Sequence, residues 1–156
     1  MDEVDIVDEA SIDADQATVY AAVGDLIRGT AQWWPGVEIR PREEIGRDLV
    51  GGVFDMVMGR LPGSRSTLRI VEVRENEMHR YEYIGGPELG LGTLTLTPDG
   101  GRTRASYRQQ TRPQRRLLRL LVRLGLAQRI HRRYMRAYFE GLRRYVEREN
   151  PAPSSP

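Results

Sequence analysis

Apolar and polar residues alternate along most of the chain, and the pattern changes to a helical repeat near the C-terminus. In the first stretch, 4–12, the apolar positions are Val4, Ile6, Ala10 and Ile12. This period of two predicts a strand with one buried face. Further strands are predicted at 37–43, 51–58, 66–75, 78–84, 89–97 and 103–111.

The segments that separate these strands are short and rich in Gly, Pro, Asn and Asp. Gly supplies positive φ, and Pro, Asn or Asp starts a turn. Examples are Leu61-Pro62-Gly63, Gly85-Gly86-Pro87 and Pro98-Asp99-Gly100-Gly101. Such short links favour hairpins, so the strands should form an antiparallel meander.

Two regions have helical character. After the first strand, Asp15 can cap a helix that Gly24-Asp25 closes, and a second short helix is predicted at about 26–33, ended by Pro35-Gly36. After Pro113 a long helical repeat runs from about 114 to 148, and Gly125 is placed to break or bend it. Its apolar stripe comprises Leu117, Leu121, Leu124, His131, Met135, Tyr138, Leu142 and Tyr145.

The length of 156 residues fits one domain, expected at 1–149, with a disordered tail at 150–156. There is no Cys, which excludes disulfides and thiol catalysis. The N-terminus has no signal-peptide pattern, and no apolar run approaches the roughly 20 residues that span a bilayer. We therefore expect a cytoplasmic protein.

The net charge of +2 conceals a strong asymmetry along the chain. Residues 1–27 contain eight acidic residues and no Arg, whereas residues 102–149 contain fifteen Arg and three Glu. This distribution suggests internal charge complementarity or an anionic partner, and a solvated helix face is the simpler interpretation.

Three segments together resemble the START/Bet v 1-like (SRPBCC) superfamily, in particular its polyketide cyclase/dehydratase-like branch. They are Ile12 to Asp25 (IDADQATVYAAVGD), Trp33-Trp34-Pro35-Gly36, and Met135 to Glu147 (MRAYFEGLRRYVE). The resemblance covers roughly residues 3–148. It implies an α+β helix-grip fold: a curved seven-stranded antiparallel sheet wrapped around a long C-terminal helix, with two short helices after strand 1.

The resemblance also implies a hydrophobic cavity between the sheet and that helix. Members of the superfamily include lipid carriers, polyketide aromatase/cyclases, plant hormone receptors and chaperone cofactors, so the chemistry does not transfer with the fold. We expect a cavity of about 300–1,000 Å³.

Aromatic and Met side chains on the predicted inward faces are the candidate ligand contacts, since such sites are mainly apolar with a few polar groups. Plain core packing is the alternative role for each of them. The candidates are Trp34, Phe54, Met56, Met58, Tyr81, Tyr83, Tyr107, Gln109, His131, Met135 and Tyr138.

Other chemistry has little support in the sequence. His79 and His131 are the only histidines, and their spacing does not suggest a zinc site, so we expect no metal and no cofactor. His131 could be a general acid or base or a residue at the core edge, and no catalytic residue is assigned. Asp55 should point outward. Residues 86–92 are interpreted as a flexible hairpin because the spacing and context of a nucleotide loop are missing.

The segment 114–124 combines Leu with Arg115, Arg116, Arg119 and Arg123. Its apolar side chains span roughly 200° of arc, so the helix could cover the cavity, or contact an anionic membrane or a partner's groove. Cavity cover is the preferred interpretation. No recognised motif supports nucleic-acid binding.

Three functions remain open at this point. The first is binding of a small hydrophobic molecule such as a lipid, polyketide, or other aromatic or isoprenoid compound. The second is a polyketide cyclase/aromatase or dehydratase, and the third is a membrane- or partner-associated module. The sequence does not determine the oligomeric state.

Overall fold

The computed structural model describes residues 3–59 and 64–149. Its strands are β1 (Val4–Ile12), β2 (Val37–Pro41), β3 (Val53–Met58), β4 (Arg65–Arg74), β5 (Met78–Gly85), β6 (Glu88–Asp99) and β7 (Arg102–Pro113). Its helices are α1 (Gln16–Ile27), α2 (Arg116–Arg123) and α3 (Leu126–Glu149). The predicted tail 150–156 and the predicted turn 61–63 lie outside the described residues.

All seven strands belong to one antiparallel sheet in the order β1-β7-β6-β5-β4-β3-β2. Strands β2 to β7 form the predicted meander, and β1 closes the sheet by pairing with β7 from Val4↔Thr111 to Ile12↔Thr103. The α3 helix packs against the inner face of this curled sheet through a shared hydrophobic core. The helix-grip fold is therefore confirmed.

The segment after β1 differs from the prediction of two short helices. Asp15 caps α1 as expected, accepting from the Thr18 backbone N–H at 2.8 Å. The helix then continues through Gly24-Asp25 to Ile27, because Leu26 and Ile27 are buried and extend its apolar face. Gly29, at φ 74°, turns the chain, and residues 28–36 contain turns instead of the second helix.

Two adjacent Trp residues fix this loop to helices on both sides. The Trp33 indole N–H donates to the Ala22 carbonyl at 2.9 Å, and the Trp34 indole N–H donates to the Tyr134 carbonyl at 3.0 Å. A Cβ at Gly141 would lie 1.9 Å from the Trp33 carbonyl oxygen. The α3 backbone can therefore approach the loop this closely only because residue 141 is glycine.

The long C-terminal repeat is divided at Gly125, as the sequence suggested. Gly125 has φ 73°, a left-handed conformation that ends α2 before α3 begins. The two helices differ in how they pack. In α3, Met135, Tyr138, Phe139, Leu142 and Val146 are all buried, whereas Val122 is the buried residue of α2.

The acidic N-terminal segment pairs mainly with β7 on the outer face of the sheet. Arg108 donates to Asp5 at 2.8 Å, Arg104 donates to Glu9 at 2.6 Å, and Arg112 contacts Glu3. The expected internal charge complementarity is therefore present between the first and last strands. It joins Arg residues of β7 to two acidic residues of β1 and to Glu3.

Candidate functional site

An inner cavity of about 70 Å³ lies between the sheet and α3. All eleven residues that the sequence predicted as ligand contacts line it: Phe54, Met56 and Met58 from β3, Tyr81 and Tyr83 from β5, Tyr107 and Gln109 from β7, His131, Met135 and Tyr138 from α3, and Trp34 from the preceding loop. The predicted faces are thus brought together. The volume is smaller than the expected range, because the aromatic rings fill most of the space between sheet and helix.

A larger pocket of about 360 Å³ adjoins this cavity at the end of the sheet, under α2. Both spaces share five lining residues, Met58, Glu88, Gln109, His131 and Tyr134. These five residues, which we call the constriction, separate the inner cavity from the outer pocket. Three of the predicted contacts belong to the constriction, so most of the available volume lies outside the predicted site.

A chain of polar side chains runs along the inner face of β5, β6 and β7. The hydroxyl groups of Tyr83 and Tyr107 are 2.8 Å apart, and Tyr83 also donates to Gln109 Oε1 at 3.4 Å. Gln109 Nε2 donates to Glu88 Oε1 at 3.0 Å, and Thr111 Oγ1 donates to Glu88 Oε2 at 2.7 Å. The inner cavity therefore has apolar walls and one polar wall that ends at a carboxyl group in the constriction.

Burial changes the acid–base character of this wall. Burial raises the pKa of Tyr83 well above that of an ordinary phenol, and it raises the pKa of Tyr107 too. Both groups stay neutral and can donate a hydrogen bond. Burial also raises the pKa of Glu88 above its usual value, although the bonds from Thr111 and Gln109 lower it in part. Glu88 is thus a carboxyl group that holds its proton to higher pH.

A second carboxyl group enters the interior from β1. Asp8 lies on the same face as Ile6 and Ala10, directly opposite Tyr107 in the register, and its Oδ2 is 3.2 Å from His131 Nε2. Burial lowers the pKa of His131, and the Asp8 carboxylate opposes that effect. The rings of His131 and Tyr107 lie 6.5 Å apart. The Asp8–His131 pair therefore faces the polar wall across the constriction.

The tyrosine pair depends on a glycine in the neighbouring strand. A Cβ at Gly92 would lie 2.1 Å from the Tyr107 hydroxyl oxygen and 3.3 Å from the Tyr83 ring. The interpretation of residues 86–92 as a flexible hairpin was therefore wrong for most of the segment. From Glu88 onward the chain is β6, and Gly90 and Gly92 pair with Thr111 and Gln109.

Several residues of the site were not predicted as ligand contacts. Glu88, Gly90, Gly92, Leu94 and Leu96 share one face of β6, and this period of two was the signal that would have included Glu88. Asp8 interrupts the apolar face of β1, which is the signal of an inward carboxyl group. Other missed residues are Val23, Leu26, Ile27, Ile39, Leu68 and Tyr134.

Asp55 lies on the outer face of the sheet, as expected, but it is buried there. It accepts from Thr67 Oγ1 at 2.7 Å and from Arg42 at 3.2 Å. Burial would raise its pKa, and these bonds outweigh that effect and lower it. Asp55 is a structural ion-pair residue on the face opposite the cavity.

Residues 3–147 match the sequence profile of the family described as polyketide cyclase / dehydrase and lipid transport. The match covers nearly the whole chain, so the protein belongs to this family, and the SRPBCC superfamily assignment is confirmed. No curated protein sequence matches the chain.

Solved structures with the same fold include proteins with different roles. The protein TTHA0849 from Thermus thermophilus is 19% identical with a TM-score of 0.76, covering 94% of this chain and 99% of that one. The Zhui aromatase/cyclase from Streptomyces sp. R1128 is 15% identical with a TM-score of 0.75, covering 99% of both chains. Norcoclaurine synthase from Thalictrum flavum, solved with dopamine and hydroxybenzaldehyde, is 16% identical with a TM-score of 0.66, covering 96% and 89%. At these identities the likeness establishes the fold alone.

Proposed function

We propose that the protein binds a small, mostly hydrophobic molecule that carries a polar group such as a carbonyl or hydroxyl. The observation that carries this proposal is the pair of adjoining spaces, the outer pocket and the inner cavity, with polar side chains concentrated at the constriction between them. A volume of about 360 Å³ under α2 is within the usual range for small-molecule sites.

The chemistry of the lining supports a ligand with one polar end. Leu117, Leu118 and Leu121 provide an apolar wall for the body of the ligand in the outer pocket. Gln109 and the neutral Tyr83–Tyr107 pair can hydrogen-bond a carbonyl or hydroxyl group that reaches the constriction. Family membership is consistent with this class of ligand, since the family description includes lipid transport.

Binding can be tested with the fluorescent probe N-phenyl-1-naphthylamine and with native mass spectrometry of the purified protein. Ala127 lines the outer pocket, so Ala127→Trp should fill it and weaken probe binding about tenfold, or about 1.4 kcal/mol. Tyr107→Trp should have a similar effect from the inner cavity. The exposed α1 variant Ala21→Trp is the matched control and should bind like the wild-type protein.

Two outcomes would contradict the proposal. One is a folded wild-type protein that binds no apolar probe and carries no copurified small molecule. The other is equal loss of probe binding in Ala127→Trp and Ala21→Trp, which would place the probe elsewhere on the protein.

A second candidate function is acid–base catalysis on a carbonyl compound, as in a cyclase or dehydratase. The observation that favours it is the meeting of Glu88 and the Asp8–His131 pair at the constriction. Histidine and carboxyl groups are common general acids and bases. A carbonyl group held by the tyrosine pair would be polarised by a neutral phenol, which eases removal of a proton from the neighbouring carbon.

Hydrogen–deuterium exchange separates the two functions. An aryl β-diketone would be incubated with the protein in deuterated buffer, and exchange at its central carbon would be followed by NMR. If the protein is a catalyst, exchange should accelerate, and Glu88→Gln or His131→Gln should reduce it by a factor of about 10² or more. Binding of the diketone without acceleration would support the carrier function.

A further inference from the structure

Large hydrophobic side chains are exposed in one region of the molecule above all others. Among the described residues, nine such side chains are exposed, and five of them lie within residues 117–130. These five, which we call the apolar patch, are Leu117, Leu120, Leu124, Leu126 and Ile130, with exposed fractions of 69%, 51%, 62%, 39% and 51%. The patch therefore belongs to the segment that runs from α2 to the start of α3.

The patch arises because the apolar arc of α2 is wider than the surface on which it packs. At 100° per residue, Leu118, Leu121 and Val122 point toward the outer pocket and β1, where they are at least half-buried. Leu120 and Leu124 continue the arc on the side away from the sheet, and Leu117 lies between them and the wall of the outer pocket. Arg116 and Arg119 complete the outward face.

The surrounding charge is of one sign. Residues 114–139 contain eight Arg and no acidic residue. Among the acidic residues of β1, Asp5 and Glu9 are paired with Arg108 and Arg104 of β7, and Asp8 lies beside His131. A binding partner of the patch must therefore contact aliphatic side chains and guanidinium groups that lie side by side.

We propose that α2 and the start of α3 bind the surface of an anionic phospholipid membrane, with the helix axis parallel to the bilayer. The headgroup region accepts both components, since acyl chains solvate Leu and Ile while phosphates attract Arg. A second copy of this chain fits less well, because it would bring two Arg-rich surfaces together. The membrane proposal is independent of which molecule the cavity holds.

The same helix also forms the wall of the outer pocket. Leu117 contributes both to that wall and to the apolar patch. Docking through the patch would therefore bring the mouth of the pocket against the lipid surface. A hydrophobic molecule could then pass between bilayer and pocket without crossing bulk water, a consequence that rests on the proposed function.

The test is cosedimentation of the purified full chain with two kinds of vesicle, one of phosphatidylcholine and one containing a third phosphatidylglycerol. We expect binding to the anionic vesicles that weakens at high salt. Arg116→Gln with Arg119→Gln should weaken it about thirtyfold, from about 1 kcal/mol for each cation. Leu120→Ser with Leu124→Ser should weaken it at least about tenfold.

Matched controls lie on other surfaces. Val50 is 50% exposed, so Val50→Ser removes an equally exposed apolar side chain far from α2 along the chain. Arg69→Gln with Arg144→Gln removes two exposed charges from β4 and the second half of α3. These controls should bind vesicles like the wild-type protein, and circular dichroism should be unchanged in all variants.

A direct readout uses Leu120→Trp with brominated lipids. The new indole should be quenched on anionic vesicles, and that of Val50→Trp should not. The proposal is overturned if folded wild-type protein does not bind anionic vesicles, or if the patch variants and the controls bind alike. A stable dimer that Leu120→Ser with Leu124→Ser dissociates, without vesicle binding, would assign the patch to self-association instead.

Discussion

The second half of α3 and the α2 segment are both amphipathic, yet they relate to the sheet in opposite ways. In the second half of α3, the inner stripe of Met135, Tyr138, Leu142 and Val146 is buried in the core. In α2, Val122 is buried against β1, while Leu117 and Leu120 are exposed. The second half of α3 is therefore a structural anchor, whereas α2 is a cover that leaves both a pocket and an apolar patch.

The two regions also differ in their polar content. The end of the core where α1 packs against α3, which we call the packed end, contains His79. Its ring packs edge-on to Tyr20 of α1 at 4.8 Å, and its Nδ1 lies 2.8 Å from the Tyr81 hydroxyl. The open end contains Glu88 and the Asp8–His131 pair around the constriction. Polar groups at the packed end thus support the core, whereas those at the open end face a space that a ligand can enter.

The largest expected effect comes from truncating a Leu in each region. Leu142 is fully buried, so Leu142→Ala should lower the free energy of unfolding by about 3 kcal/mol through lost contacts and the cavity left behind. Leu120→Ala, at half exposure, should change it by less than about 0.5 kcal/mol. Urea denaturation of both variants measures the contrast, and equal losses would show that α2 is as much part of the core as α3.

A smaller effect concerns the pH dependence of the packed end. Burial, assisted by Arg28, lowers the pKa of His79 to about 4. In the unfolded chain His79 binds a proton near the ordinary pKa of 6.5. The neutral, buried His79 therefore contributes fully to the free energy of unfolding above pH 6.5, and this contribution is lost as the pH falls toward 4. At about pH 5 the loss should be about 2 kcal/mol.

Histidine variants assign this pH dependence to one region. His79→Gln should remove most of the loss between about pH 6.5 and about pH 5, measured by denaturation at each pH. His131→Gln serves as the comparison at the open end, where Asp8 opposes the downward shift in the pKa of His131. An unchanged pH profile in His79→Gln would mean that His79 is not the group responsible.

The sequence predicted the faces of the strands and helices well, because alternation is a local property. The positions of Phe54, Met56, Tyr81, Tyr83 and Tyr107 follow from a period of two, and the closure of the sheet brings them together. The same rule would have placed Glu88 inward. The glycines of its strand suggested a loop, whereas Gly92 is small because the Tyr107 hydroxyl needs the space.

Features that depend on packing could not be predicted in this way. No separate second helix forms at 26–33, because α1 continues to Ile27 and the chain then turns at Gly29. The loop that follows is held by the indole N–H groups of Trp33 and Trp34, which bond to carbonyls of α1 and α3. The cavity volume depends on how the aromatic rings fill the interior. In the segment 114–124, whose role as cavity cover stays a prediction, Leu121 lines the outer pocket, whereas Leu124 is 62% exposed.

The smallest stability effect is expected where α2 lines the outer pocket. Leu121→Asp places a carboxylate on a wall that is partly open to water, so the charge keeps much of its hydration. The free energy of unfolding should fall by only about 1 kcal/mol, while the affinity for N-phenyl-1-naphthylamine should fall about tenfold as the apolar wall is lost. Leu120→Asp, one residue away on the exposed side, is the control and should change neither quantity measurably.

If Leu121→Asp instead destabilised the protein as much as Leu142→Ala, α2 would be an anchor like the second half of α3. If it left probe binding intact, the outer pocket would not be the binding site, because a new charge in its wall must disfavour an apolar occupant.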